Sequence, residues 1–234
     1  MASWLAASRR FTTFVEANHS KIRKKIRTAP DPESLRDLQL ELETAYLLLR
    51  ERALSLVYEA RPGKVGRSPD FAVRFTTSLE FLVEVTRLRP VESIPPSGFV
   101  EPDRPEPAKA PASDDPQLAN RFTDMLCGKL GQLLPGRVNL LLAGVDAPAL
   151  PQLDLNPVML RIQQRAEAGD PNVIRKHGFR DRAAFFSHYR RLSALLVRGI
   201  PLPAGEPLAV WDNPQTKFTL PARVRTALVR SHTN

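Results

Sequence analysis

A chain of 234 residues, 42% hydrophobic and 25% charged, can bury one sizeable core, which excludes a largely disordered polypeptide. No apolar run approaches the roughly 18–20 residues that span a bilayer, and a single cysteine, Cys127, excludes an internal disulfide and a cysteine-built zinc cage. The net charge of +9 is unevenly spread: residues 1–30 hold seven Lys/Arg against one Glu, residues 31–60 seven acids against three arginines, and the stretch from Arg161 onward 13 Lys/Arg against five acids. Cations for phosphate around carboxylates for a metal would suit a metal-dependent enzyme acting on nucleic acid, but a basic surface that binds nothing has the same composition.

In the opening MASWLAASRR an apolar patch precedes the arginines, the reverse of a secretory signal, so a cytoplasmic location is expected. Residues 1–30 form a basic helical segment, with Phe11, Phe14, Val15, Ile22 and Ile26 at helical spacing and Lys21, Arg23, Lys24, Lys25 and Arg27 on the polar face. That face reads as the solvated side of a packed helix in preference to a nucleic-acid arm. The main domain is expected over residues 31–234. Asp31 and Pro32 start a helix over 32–52, Asp31 as cap and Pro32 in the first turn. Residues 54–60 are apolar enough for a first strand, and 61–67, RPGKVGR, form a turn or loop. Residues 71–75 alternate as a half-buried strand, 76–78 connect a hairpin, and 81–86 are apolar enough for a strand inside a sheet.

Residues 90–116 are dominated by Pro, Ala, Asp and Glu and read as a long surface loop. Beyond it the pattern gives a helix over 117–134 closed by Pro135-Gly136, a buried strand over 137–143, helices over 156–168 and 183–191, strands over 192–198 and 209–212, and a last helix over 221–230. The 117–134 helix supplies the crossover that a parallel strand pair needs, so the Pro-rich stretch is an insertion within the domain. Cys127, the aromatics of the 183–191 helix and Trp211 read as core.

Two carboxylates fall on adjacent predicted strands. Asp70 opens the second and Glu84 lies in the third, with 13 residues between them. Strand alternation puts Leu82, Glu84 and Thr86 on one face. An ionised Glu among Leu82, Val83, Val85 and Leu88 is expensive to bury alone; a divalent cation shared with Asp70, or an arginine such as Arg74, Arg87 or Arg89, would offset that. No P-loop, GxSxG, HExxH or GxGxxG element is present, and the four histidines have no metal spacing.

The run VYEA (57–60), SPDFAV (68–73) and FLVEVTR (81–87) resembles the core of the PD-(D/E)XK nucleases, the restriction-endonuclease-like superfamily with many bacterial members. The resemblance covers about residues 35–145. It implies an α/β fold with a mixed central sheet flanked by helices in α-β-β-β-α-β order. It also implies Mg²⁺ or Mn²⁺ at Asp70 and Glu84, with the main-chain carbonyl of Val85 and an acid of the preceding helix, Glu41 or alternatively Glu43. Where the family pattern carries a lysine, this chain has Thr86, which offers no cation. Lys64, Arg74 or Arg87 could supply one; by strand parity Arg87 points away from Glu84, whereas Arg74 shares a face with Asp70. The function implied is metal-dependent hydrolysis of DNA or RNA, with nucleic acid as partner and a homodimer as a common assembly. The alternative is a catalytically inactive protein of the same fold that binds nucleic acid or a protein partner.

Overall fold

The computed structural model describes residues 1–60, 68–76, 79–89, 116–146, 153–201 and 208–233. Three short helices come first: α1 (Ala2–Ala7), α2 (Arg9–Ala17) and α3 (His19–Thr28). The long α4 (Pro32–Arg50) follows. Its start is fixed by local chemistry: the Asp31 side chain accepts from the Ser34 N–H at 2.6 Å, and Pro32 needs no partner for an N–H that it lacks. Strands β1 (Leu54–Tyr58), β2 (Phe71–Phe75) and β3 (Leu79–Arg87) make an antiparallel meander. Helix α5 (Pro116–Leu130) then crosses over to β4 (Asn139–Asp146), which pairs parallel with β3. Helices α6 (Leu155–Glu167) and α7 (Arg182–Tyr189) lead to β5 (Leu192–Ile200), parallel to β4. Strand β6 (Ala209–Asp212) closes the edge antiparallel, and α8 (Ala222–Thr233) ends the chain.

The result is an α/β architecture, an open six-stranded mixed sheet in the order β1 to β6 with eight helices among the described residues. Helices on both faces explain why β3, β4 and β5 read as nearly continuous apolar runs. The alternation splits the core in two. Phe71, Val73, Phe81, Val83, Val85, Leu140, Leu142 and Leu196 face α4 and the N-terminal helices. Leu141, Ala143, Val145, Leu195 and Val197 face α5, α6 and α7. Each such Leu, Val or Phe contributes about 1.5–3 kcal/mol on burial, so the inner strands and the helices over them hold the frame rigid.

The N-terminal segment belongs to this packing. Phe11, Phe14 and Ile22 are buried in the α4-side core, and the Arg10 guanidinium donates to the carbonyls of Leu49 and Glu51 at the end of α4 and of Leu54 at the start of β1. Cys127 and Trp211 are core residues, as the sequence predicts, and burial pushes the Cys127 thiol up to about 12, which makes it inert. Phe185 and Tyr189 of α7 are likewise buried. Where α4 crosses the sheet, β4 carries Gly144: a Cβ there would lie 2.8 Å from the Leu40 side chain and 2.3 Å from that of Ile200, so any larger residue would force both to shift. No described helix is long and apolar enough to cross a membrane. The 61–67 loop, the 77–78 hairpin tip and nearly all of the Pro-rich stretch lie outside the described residues.

Candidate functional site

The register of the meander brings the two predicted carboxylates together. Strands β2 and β3 pair Phe71 with Val83 and Ala72 with Leu82, so one further step sets Asp70 opposite Glu84. The next N–H along that edge of β3 belongs to Val85, and it donates to the Asp70 carboxylate at 2.8 Å. The Asp70 carbonyl accepts from the Glu59 N–H at 2.8 Å. Glu59 itself has φ +46°, a left-handed backbone that a non-glycine residue adopts at an expense of about 1 kcal/mol. The aspartate is therefore fixed at both backbone and side chain.

A cleft of about 310 Å³ opens here, lined by Asp37, Glu41, Asp70, Val85, Thr86, Arg87, Arg89 and Lys129. It lies at the carboxyl end of β3, where open α/β sheets commonly take ligands. Glu84 is buried beneath it, and its Oε1 is 2.8 Å from the Lys129 ammonium of α5, which also donates to Gln132 at 3.4 Å. Glu41 accepts from Lys25 of α3 and from the Tyr58 hydroxyl, each at 2.8 Å. Burial opposes the Lys25 charge, but Glu41 outweighs it and raises the lysine above its usual range; burial and Glu41 push the Tyr58 phenol up as well. Asp37 is held by Arg87 and Arg89, and Arg87 also pairs with Glu33, so it is raised despite the burial that opposes its charge.

Every acid that lines or underlies the cleft thus has a cationic partner, with one exception. Among the described residues Asp70 makes no ion pair. Burial, then the charge of Glu84, then that of Glu41 push its carboxyl up to about 7, against the Val85 hydrogen bond and the more distant Lys129. A carboxyl poised near neutrality in a cleft is characteristic of functional positions, and the cause here is crowding by like charge as well as desolvation.

Of the residues to which the sequence points, Asp70, Glu84, Val85, Thr86 and Glu41 meet at the cleft and its floor, with Thr86 in the wall. Glu43 does not: it pairs with Arg198 of β5 at 2.6 Å, which resolves the choice between the two helix acids. Arg74 as the replacement cation is a correction. Its guanidinium sits 3.9 Å from Glu80, four residues along β2 from Asp70, or about 13 Å. Arg87 lines the cleft but is bound by Glu33 and Asp37. Lys64 lies outside the described residues. Among the described residues Lys129 reaches Glu84, and the sequence did not single it out. Its one signal was position: it follows Phe122 and Leu126 on the apolar stripe of α5, where a buried residue is expected.

Among the described residues no group of three or more His, Cys, Asp or Glu side chains is arranged to hold a metal ion. Compared with family models, with curated proteins and with solved structures, the chain matches none.

Proposed function

We propose that the cleft is the site of a metal-dependent nuclease of the PD-(D/E)XK type, in which Asp70 and Glu84 hold Mg²⁺ or Mn²⁺ and Lys129 takes the place of the motif lysine. The observation that carries this reading is Asp70 and Lys129 in the wall of one cleft with Glu84 beneath it, Asp70 making no ion pair among the described residues. The donor chemistry suits a hard divalent ion: two carboxylates on adjacent strands beside the main chain of Val85. Like-charge crowding at Asp70 is relieved by such an ion. Glu41 fits less well as a ligand, since Lys25 and Tyr58 already hold it.

Hydrolysis adds water across a phosphodiester P–O bond, the hydroxyl to phosphorus and the proton to the departing sugar oxygen. A bound divalent ion supplies a water of lowered pKa and neutralises charge developing on the phosphate. Lys129, steadied by Glu84 and Gln132, sets a positive charge beside that phosphate from a helix instead of from β3. Thr86 contributes only a neutral hydroxyl. Asp37, Arg87 and Arg89 brace the wall by ion pairs that leave the shape of the cleft fixed.

A second reading has its own observation. No three-ligand cluster is assembled among the described residues, and lysines already neutralise Glu41 and Glu84. This favours a protein of the same fold that binds nucleic acid without cleaving it. Calorimetric titration of Mn²⁺ into wild type, Asp70→Ala and Lys129→Met, with cleavage of single- and double-stranded DNA and RNA followed in parallel, separates the two. The nuclease reading expects Mn²⁺ binding that Asp70→Ala abolishes, with cleavage lost in both variants. Absence of metal binding and cleavage in wild type, even with nucleic acid present, would leave Glu84–Lys129 as a structural ion pair.

A further inference from the structure

Helix α3 carries five Lys/Arg in ten residues and no acid. Its i, i+4 rows have separate uses. Ile22 is buried in the core. Lys21 and Lys25 turn toward the cleft: Lys21 donates to the Tyr58 carbonyl at 3.0 Å, and Lys25 pairs with Glu41 and with Glu59 at 3.2 Å. The remaining rows, His19–Arg23–Arg27 and Ser20–Lys24–Thr28, are exposed and together line a groove of about 590 Å³. Among the described residues Arg23, Lys24 and Arg27 make no ion pair. Like charges at i, i+3 and i, i+4 repel, by a few tenths of a kcal/mol per pair, and α3 holds four such pairs: Lys21/Lys25, Arg23/Arg27, Lys21/Lys24 and Lys24/Arg27. An anion along the groove would turn that repulsion into attraction.

We infer that this groove holds the sugar–phosphate backbone of duplex nucleic acid and guides it to the Asp70 cleft; the second half of that statement rests on the nuclease reading. Three points select the occupant. Among the described groove residues there is no acid and no Phe, Tyr or Trp, and His19 is the sole ring, so the groove can neutralise phosphate but offers little stacking surface for the successive bases of a single strand. The apolar row of α3 is already turned into the protein at Ile22, which leaves Ile26 alone outside and no apolar face to enter a bilayer. And Lys25 ties the helix to Glu41 in the cleft wall, so the groove keeps a fixed position beside the candidate site.

The test is fluorescence anisotropy with a 20-base-pair DNA duplex in EDTA, across a salt series. Wild type is compared with Arg23→Gln/Lys24→Gln/Arg27→Gln, whose altered side chains are exposed and whose fold is checked by its melting curve, and with Arg180→Gln, an exposed cation outside both the groove and the cleft. Wild type and Arg180→Gln are expected to bind alike. The triple variant is expected to bind at least tenfold more weakly at about 0.1 M salt, with the log–log salt slope reduced by roughly 2–3, nearly one for each cation that no longer meets a phosphate. An unchanged affinity and slope in the triple variant would overturn the inference. So would stronger binding to phosphatidylserine vesicles or to a single-stranded probe than to the duplex. Loss of duplex binding in the triple variant, in a protein whose wild type cleaves nothing, would uphold the groove and refute the nuclease reading separately.

Discussion

Two acid–cation pairs at the sheet, Glu43–Arg198 and Glu84–Lys129, use the same chemistry to opposite ends. The Arg198 side chain is 1% exposed, and beyond its 2.6 Å bond to Glu43 its Nε and Nη1 have no partner among the described residues. Burial pulls the guanidinium down and Glu43 pulls it back. Nearby, burial drives His232 down to about 4, so that it is neutral at pH 7 beside Arg198 and Arg50. Lys129, in contrast, is 24% exposed and stands at a cleft next to Asp70, a carboxylate without an ion pair among the described residues. A cation sealed in the interior, as Arg198 is even though Glu43 reaches a surface pocket, has no room to exchange its carboxylate for a ligand. A pair at a cleft, with uncompensated charge beside it, can exchange its partner for a ligand.

The largest expected effect tests the cleft half of that contrast. Lys129→Met should lower metal-dependent cleavage by about 10²–10³-fold, the usual loss when one group that stabilises developing charge is removed, and Asp70→Asn should abolish it. Both proteins should melt as cooperatively as wild type. If Lys129→Met cleaves normally, the lysine belongs with Arg198 as a structural cation.

Next in size is the interior pair. Glu43→Ala strands the Arg198 charge in an apolar setting and should cost about 3–5 kcal/mol of unfolding free energy, read by urea denaturation. Mn²⁺ affinity of the folded fraction should not change. A loss below about 1 kcal/mol, the scale of an exposed pair, would show that solvent reaches Arg198, and the distinction between the two pairs would disappear.

The same contrast marks what the sequence could reveal. Strand alternation and turn chemistry placed β2 and β3, and the Asp70–Glu84 meeting followed from their short connection. Period and register along one hairpin are local properties. The choice between Glu41 and Glu43 was not local. They sit about 200° apart on α4, and α4 buries residues almost all round, including Leu38, Leu40, Leu42, Ala45, Leu47 and Leu48, so its own pattern does not fix which side meets the cleft. Lys129 lies 45 residues from Glu84 across the Pro-rich stretch, and only the packing of α5 on β3 unites them. Lys21 and Lys25 look like solvent-facing charge for the same reason: their partners Glu41, Glu59 and Tyr58 come from α4 and from β1 and its end.

A smaller effect concerns pH. Asp70 has an ordinary value near 3.8 and is raised to about 7 in the fold. The native state therefore favours the protonated form. The contribution is fully present below about pH 4 and is lost as pH rises through 7, on the order of 2–4 kcal/mol. Asp70→Asn removes this slope, so the variant should match wild type near pH 4 and exceed it in stability at pH 8, measured by denaturation at both values. Because a metal binds the carboxylate, Mn²⁺ affinity in wild type should rise from pH 6 to 8 with release of a proton, visible as a buffer-dependent binding enthalpy. Equal pH slopes in the two proteins would mean that Asp70 is not the crowded group.

The smallest effect sharpens the comparison most, because it asks whether the two cleft lysines are equivalent. Lys25→Met leaves Glu41 with the Tyr58 hydroxyl but without its cation, and Glu41 is one of the charges that raise Asp70. The midpoint of the Asp70-dependent stability loss should move upward by several tenths of a pH unit, with less than about 1 kcal/mol lost overall for a partly exposed pair. Lys25 touches neither Asp70 nor Glu84, so cleavage at pH 8 should fall by no more than a few fold. A loss as deep as that of Lys129→Met would make Lys25 a member of the reacting set and Glu41 a ligand in its own right. A small loss with a shifted pH midpoint would fix Lys25 as a positioning residue, one that holds α3 and Glu41 in place while Lys129 alone meets the phosphate.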